Sequence, residues 1–487
     1  MTNSAEPVFS NDTAGQLPHV VVLGGGPAGV GAAFQLRRLK RARVTLIEAN
    51  PAVGGNSGSF DHAGQRLDYG SHRLHPACDP AILNDIRTVL GGDLLDRPRH
   101  GRIRLRGRWI HFPLKPVDLL LRLDPRFALG TLRDMMRRGQ KKSDDAQRPE
   151  SFASVLQASL GETICSDFYF PYARKIWGAE PEELSAIQAR RRVSAGSFAK
   201  LLRKLLSAVP GFKPAGSGRF FYPRRGFGQI SEAFADAAAK SGAEIMLGCR
   251  VVGVQREGDG WSVRVECGSD TRTMHADYLW STLPITMLAR MTTPKPDAQS
   301  LAASGDIQYR AMLLVYLTLP VPHFTEFDAH YFPELSVTIT RLSEPKNYSA
   351  LDEPRNSTTL CAELPCAPGD AHWEMSDADL GAIVAADLAR SGLPLPAAPT
   401  SVCVKRLRFA YPIYRQGYER AFAALDVWAS EQPNMLTFGR QGLFAHDNTH
   451  HALRMAYAAS DCLGPDGFDL ERWARYRREF EGHVVED

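Results

Sequence analysis

The sequence contains no apolar run approaching the roughly 18 to 20 residues that a bilayer-spanning helix needs; stretches such as residues 20–23 are only strand-sized. No integral membrane segment is therefore expected. Charge of one sign is not in large excess either. Lys and Arg number 58 against 54 Asp and Glu, and the net charge of +4 is too slight to point to nucleic acid. Cysteine is sparse and scattered. The eight thiols (Cys78, Cys165, Cys249, Cys267, Cys361, Cys366, Cys403, Cys462) form no C-x-x-C pair, and only Cys361 and Cys366 lie close together. This predicts reduced thiols, with no disulfide framework and no metal site. No internal repeat is visible. Residues 1–17 are polar, carry Glu6 and Asp12, and lack the basic-then-apolar order of a secretory signal, so a frayed tail and a cytoplasmic location are expected.

What is present is an ordinary globular composition over 487 residues, 44% hydrophobic and 23% charged, which excludes a disordered or collagen-like chain. The length suggests two or three domains, or one large interleaved pair.

The chemistry starts early. His19-Val20-Val21-Val22-Leu23 reads as a strand buried on both faces, and it runs into Gly24-Gly25-Gly26-Pro27-Ala28-Gly29. Residues 28–39 then read as a helix with Ala32, Ala33 and Leu36 facing a sheet. In this G-x-G-x-x-G pattern Gly24 permits a tight turn, Gly26 admits a pyrophosphate to the backbone, and Gly29 lets helix and strand pack closely. A second strand at 43–47 ends at Glu48, followed by Ala49, where a carboxylate can accept bonds from the hydroxyls of an unphosphorylated ribose. Gly54-Gly55-Asn56-Ser57 follows. A glycine pair after the ribose acid resembles flavin enzymes of the glutathione-reductase type, which favours FAD over NAD.

Further elements are expected at 226–240 (helix), 243–247 (strand), 250–254 and 261–267 (antiparallel pair, with Val252 in the first), 277–284 (strand) and 434–463. Asn448 or Thr449 can cap a helix whose apolar face is Leu453, Ala456, Tyr457 and Ala459. Two blocks stand apart. Arg102, Arg104, Arg106 and Arg108 recur at period two, either as one solvated strand face or as an electropositive wall for an acidic or phosphorylated substrate. The basic stretch 133–142 reads as a solvated helix end and loop, with a peripheral membrane contact left open.

Over almost the whole chain these motifs, with Asp68-Tyr69-Gly70-Ser71-His72-Arg73-Leu74-His75, Tyr172-Ala173-Arg174-Lys175-Ile176-Trp177-Gly178, residues 340–347 and Gly439-Arg440-Gln441-Gly442-Leu443-Phe444, resemble the FAD-dependent amine oxidase and protoporphyrinogen oxidase superfamily, in particular the branch that includes UDP-galactopyranose mutase. The resemblance implies an α/β fold in which a Rossmann-like FAD domain (18–94, 218–284 and 403–487) is interleaved with an α+β substrate domain (95–217 and 285–402). It also implies a cofactor set of Gly24, Gly26, Pro27, Ala28, Gly29, Glu48, Ala49, Gly54, Gly55, Asn56, Ser57, His72, Val252, Gly439, Arg440, Asn448 and Thr449. Catalytic candidates are His72 beside the flavin, Trp177 as a stacking surface or domain filler, Arg341 as a diphosphate ligand or an ordinary ion pair, and Lys346, with Lys175 competing for its role.

Two departures bear on the substrate. Phe444 stands where the mutases present an aromatic hydroxyl to a diphosphate, and Ala49-Asn50-Pro51 lacks the arginine that follows the ribose acid in many amine oxidases. The extra length at 143–157 and 293–305 fits a modified substrate domain. The leading expectation is an FAD-dependent oxidoreductase that takes a hydride from a small molecule, with molecular oxygen or another electron acceptor as its partner. A non-redox nucleotide-sugar mutase is the alternative, and a flavin-holding subunit without turnover is a second one.

Overall fold

His19–Leu23 forms the centre of a parallel sheet because its side chains are apolar on both faces: Val20 and Val22 enter one core, Val21 and Leu23 the other. The sheet has five strands in the order Met435–Thr437, Tyr278–Ser281, His19–Leu23, Arg43–Ile47, Glu244–Met246, and every pairing is parallel. The computed structural model describes residues 17–112, 122, 124–137, 149–192, 218–349, 351 and 353–485. The expected tail (but for its last residue), residues 138–142 of the basic stretch, residues 143–148 and residues 193–217 lie outside the described residues.

Helices Pro27–Arg38, Gln229–Lys240 and Thr449–Cys462 cover the Val20 face. Gly31 lets two of them approach closely, since a Cβ there would meet Leu453 Cδ2 at 2.8 Å. On the Val21 face lies an antiparallel sheet built from Cys249–Glu257, Gly260–Cys267 and Asp270–Ala276. The third of these strands, exposed at four of its first five positions, escapes a search for alternating burial.

That hairpin corrects the expectation of reduced thiols. Cys249 and Cys267 stand opposite each other in the antiparallel register and are joined as a disulfide. The other six cysteines are free. Spacing alone hides the pair, because the register that brings the two together is set by the turn at Glu257–Gly260.

The second large sheet has seven strands in the order Ser401–Ile413, Gln308–Leu319, Thr358–Cys366, Arg341–Ser343, Ala329–Tyr331, Gly101–Leu105, Arg108–Phe112. Position 403, expected as a domain boundary, falls inside the first of these strands, which pairs with Gln308–Leu319 along most of its length. Residues 336–340, strand-like in sequence, form no ladder. Their backbone is held partly by single backbone bonds, such as the Thr340 amide to the Glu363 carbonyl at 2.9 Å, and partly by side chains: Asp387 accepts the amides of Thr338 and Ile339, and Lys175 Nζ donates to the carbonyls of Ile339 and of nearby Phe332 and Glu334. The arginine hairpin builds no substrate wall. Arg102 is sandwiched between the rings of Trp109 and Phe327 at 4.4 Å from each, Arg104 pairs with Glu334, and Arg106 pairs with Asp124 and Asp167. Among the described residues no helix is long and apolar enough to cross a membrane.

Candidate active site

The glycine turn is shaped by its own steric demands. Gly24 has φ +100°, a conformation other L-residues rarely adopt, and its amide bonds to the Ile47 carbonyl at 2.9 Å. A Cβ on Gly29 would overlap the Gly24 carbonyl oxygen, so helix and turn can touch only through a glycine. A Cβ on Gly26 would meet nothing within 4 Å, because this residue faces open space. Glu48, at the end of the second strand, closes the turn: Oε2 accepts the Gly25 amide at 2.7 Å, while Oε1 accepts from the Asn50 amide at 2.8 Å and Asn50 Nδ2 at 2.6 Å. Gly54 and Gly55, both at positive φ, fold back onto this turn, with the Gly54 amide bonded to the Gly25 carbonyl at 2.8 Å.

These groups open onto a cleft of about 430 Å³, within the range of small-molecule sites. The helices starting at Pro27 and Thr449 both present their N-terminal ends to it, and such ends carry unpaired amides and partial positive charge. Of the residues expected to hold a cofactor, Gly24, Gly26, Pro27, Ala28, Glu48, Gly55, Asn56, Ser57, His72, Arg440, Asn448 and Thr449 line this cleft. Gly29, Ala49, Gly54, Val252 and Gly439 do not. Gly29, Gly54 and Gly439 shape its floor, where a Cβ on Gly439 would lie 2.8 Å from Ala28 Cβ. An anionic dinucleotide fits this construction: open backbone at Gly26, two helix N-termini and the Glu48 carboxylate line one cleft.

The opposite wall comes from the seven-stranded sheet and the segment 68–75. Arg341 meets Glu363 with Nη2 2.7 Å from Oε1, and both line the cleft. Burial works against the charge of Arg341, yet the Glu363 carboxylate together with Tyr331, Tyr411 and Tyr172 outweighs it and holds the pKa well above the ordinary value. Glu363 Oε1 also accepts the Ser71 amide at 2.9 Å. Neighbouring Arg73 pairs with Asp328 and donates to the Tyr348 hydroxyl at 2.8 Å. His72 Nε2 lies 2.9 Å from the carbonyls of both Asn56 and Tyr69. Carbonyls only accept, so this nitrogen carries the proton. Burial lowers the pKa of His72, against the pull of Asp68, and the ring is neutral at pH 7. His72 is thus a ring pinned between two loops.

Two catalytic candidates lie elsewhere. Lys346 is buried away from the cleft and donates to the Pro322 carbonyl. Lys175 is spent on the three carbonyls named above, and burial pushes its pKa down to about 7. Trp177 fills the space between the two walls, edge-on to Tyr411 at 5.7 Å and to His446 at 5.0 Å, without reaching the cleft surface. Phe444 is also withdrawn, packed edge-on against Tyr309 at 5.1 Å. The hydroxyl-bearing rings that do line the cleft are Tyr172, Tyr331 and Tyr411. Tyr331 and Tyr411 belong to strands of the seven-stranded sheet, a placement that no local pattern signals.

Beneath the Thr449 helix, Asp447, His451 and His483 bring ligand-type atoms within 4.8 Å of one another. The two imidazoles stack at 4.2 Å with a 14° interplanar angle, so their in-plane lone pairs run side by side and do not converge on one ion. The cluster instead braces the helix start, with His451 Nδ1 accepting the Asn448 amide at 3.2 Å.

Residues 27–459 match the sequence profile of the family described as flavin-containing amine oxidoreductases. The chain is 29% identical over 263 residues to AofH of Mycobacterium tuberculosis, which carries a provisional flavin-containing monoamine oxidase name; the match covers 51% of this chain and 54% of that one. The aligned part thus spans about half the length of that relative. Protoporphyrinogen oxidase 2 of Arabidopsis thaliana is 22% identical over 474 residues, covering 86% of this chain and 89% of its own. Among solved structures, reduced UDP-galactopyranose mutase superposes with a TM-score of 0.78 at 22% identity, over 92% of this chain and 93% of the mutase, a likeness of fold.

Proposed function

The chain belongs to the flavin-containing amine oxidoreductase family, and from that premise we propose that it is an FAD-dependent oxidoreductase removing a hydride from a carbon next to nitrogen, or from a comparably activated carbon, of a small-molecule substrate. The observation that carries this reading is the meeting, across one cleft, of a dinucleotide cradle and a wall built by a different sheet around Arg341, Glu363, Tyr331 and Tyr411. Bound FAD would supply the hydride-accepting chemistry, with molecular oxygen or another acceptor as the partner of the reaction.

The chain's own residues bind and orient. Gly26 and the helix start at Pro27 would receive the diphosphate, and the helix start at Thr449 would favour negative charge on the N1 and O2 edge of the flavin. Glu48 accepts from ribose hydroxyls with the lone pairs its three protein bonds leave over. His72, neutral and anchored by two carbonyls, positions the loops on either side of the cleft. Arg341, fixed by Glu363, offers an oriented charge to an acidic or polar substrate group. We read residues 18–94, 218–284 and those after Ile413 as the cofactor-holding part, and 95–192 with 285–413 as the substrate part.

A specific observation keeps a second reading in play, that of a flavin-dependent nucleotide-sugar mutase. Phe444, whose missing hydroxyl argues against a nucleotide sugar, is buried off the cleft, whereas Tyr172, Tyr331 and Tyr411 line it beside Arg341. One experiment separates the two. Purified protein reconstituted with FAD is incubated anaerobically with a panel of amines, porphyrinogens and UDP-hexoses. Bleaching of the flavin absorbance by a substrate alone supports the oxidoreductase. Conversion of a UDP-hexose by dithionite-reduced protein with no net oxidation would replace it with the mutase. A protein that neither retains nor takes up FAD would overturn both.

A further inference from the structure

We infer that the outer face of the helix Pro125–Arg137 docks on an anionic phospholipid surface. The helix is anchored from inside: Phe127 is buried, Asp134 accepts the Thr163 amide at 2.7 Å, and Gly130 lies so close to Thr163 that a Cβ would sit 2.7 Å from its hydroxyl. Its outer side is apolar. Leu129 is 68% exposed, Leu132 51% and Met136 68%, and with Pro125 they fall on one stripe at helical spacing. Of the nine exposed large apolar side chains among the described residues, three stand here and each of the others is isolated on its element. A stripe of that kind is unusual on a surface that meets only water.

Charge identifies what covers it. The acids of the helix and its cap are engaged, Asp134 with Thr163 and Asp124 with the amides of Arg126 and Phe127 and with Arg106. The exposed arginines Arg126 and Arg133 flank the stripe on one side. A helix carrying leucine and methionine outward with arginine beside them suits the boundary between lipid headgroups and acyl chains. There the apolar side chains enter the hydrocarbon while the guanidiniums hold phosphates. The same helical layer carries Tyr172 and Ile176 to the cleft, so docking there sets the cleft next to the lipid.

The test uses the full-length, FAD-loaded protein in co-sedimentation with vesicles of phosphatidylcholine containing about one third phosphatidylglycerol, and with phosphatidylcholine alone. The expected result is binding to the anionic vesicles that weakens as salt is raised and is much weaker on the neutral ones. Combined Leu129→Gln, Leu132→Gln and Met136→Gln should lower the bound-to-free ratio at least about tenfold, and combined Arg126→Glu and Arg133→Glu comparably, with flavin absorbance unchanged in both. Should the apolar variant lose its flavin, Leu129→Gln alone and the charge variant carry the test. Absent binding, binding indifferent to both variants, or a wild-type dimer that the apolar variant turns into a monomer without any vesicle binding would overturn the proposal.

Discussion

Arg341 and Glu363 face each other across neighbouring antiparallel strands, and the guanidinium closes on a single carboxylate oxygen, Oε1, with Nη2 at 2.7 Å and Nε at 2.9 Å. The same oxygen receives the Ser71 amide. One carboxylate thus ties the seven-stranded sheet to the loop that carries His72, and both strands meet the cleft at this point.

Removing it leaves a buried cation without its partner. Glu363→Ala should lower stability by about 3–5 kcal/mol in urea denaturation. Glu363→Gln, which keeps an acceptor oxygen, should cost clearly less. An alanine variant within about 1 kcal/mol of wild type would show that the pair does not hold this wall together.

Two glycines of the same motif should behave oppositely. Gly29→Ala puts a Cβ into the Gly24 carbonyl, so the protein should be strongly destabilised or fail to fold. Gly26→Val faces open cleft and should leave the melting temperature of the FAD-free protein nearly unchanged while abolishing FAD retention. Flavin absorbance after gel filtration, set beside thermal melting, distinguishes the two.

Glu48 serves the fold and the cofactor together. Glu48→Gln places an amide NH₂ where either the Gly25 or the Asn50 amide already donates, at a cost of about 1–3 kcal/mol in stability. Glu48→Ala removes every acceptor and should weaken FAD binding at least about tenfold by titration, since a good hydrogen bond to a charged group is worth that much.

Acid should unfold the protein earlier than its carboxylates alone require. Burial lowers the pKa values of His72, His330 and His450, the latter two to about 3. The unfolded chain, with histidines near 6.5, then binds more protons than the native one below that pH. Stability therefore rises with pH across the window from about 3 to 6.5 and falls as pH drops through it, by about 2 kcal/mol at pH 5 for each of His330 and His450. Asp447, held below the usual carboxylate range by the neighbouring imidazoles of His451 and His483 despite its burial, adds loss in the same direction at lower pH. Denaturation at pH 7 and pH 5 measures the slope, and His450→Gln should reduce it.

Thiol titration of the denatured, unreduced chain should count six free cysteines of eight. Cys249→Ser should cost about 3 kcal/mol, the loop-closure value for a link spanning 18 residues, and the loss should vanish in reduced protein. Eight titrating thiols would contradict the bridge.

The glycine turn and the carboxylate that closes it were legible in the sequence because they are local. Gly24, Gly26, Gly29 and Glu48 lie within 25 residues of one another, and the turn, the helix start and the strand end each follow from backbone sterics and burial periodicity. The helix Thr449–Cys462 was legible for the same reason, since Leu453, Ala456, Tyr457 and Ala459 repeat at helical spacing and are all buried. The polar strand Asp270–Ala276 was not, because its apolar partners lie on the next strand. Residues 336–340 misled, because β-branched side chains there accompany a backbone satisfied partly by Asp387 and Lys175.

By itself, then, the sequence determined a dinucleotide-binding turn and the family to which it belongs. Only the tertiary structure decided which residues face that turn across the cleft. It brought Arg341, Glu363 and Tyr411 to His72, withdrew Lys346, Trp177 and Phe444, and paired Cys249 with Cys267. The physical reason is that a turn is fixed by the conformations its own residues can adopt, whereas a wall between sheets is fixed by strand register and packing among segments far apart in the chain.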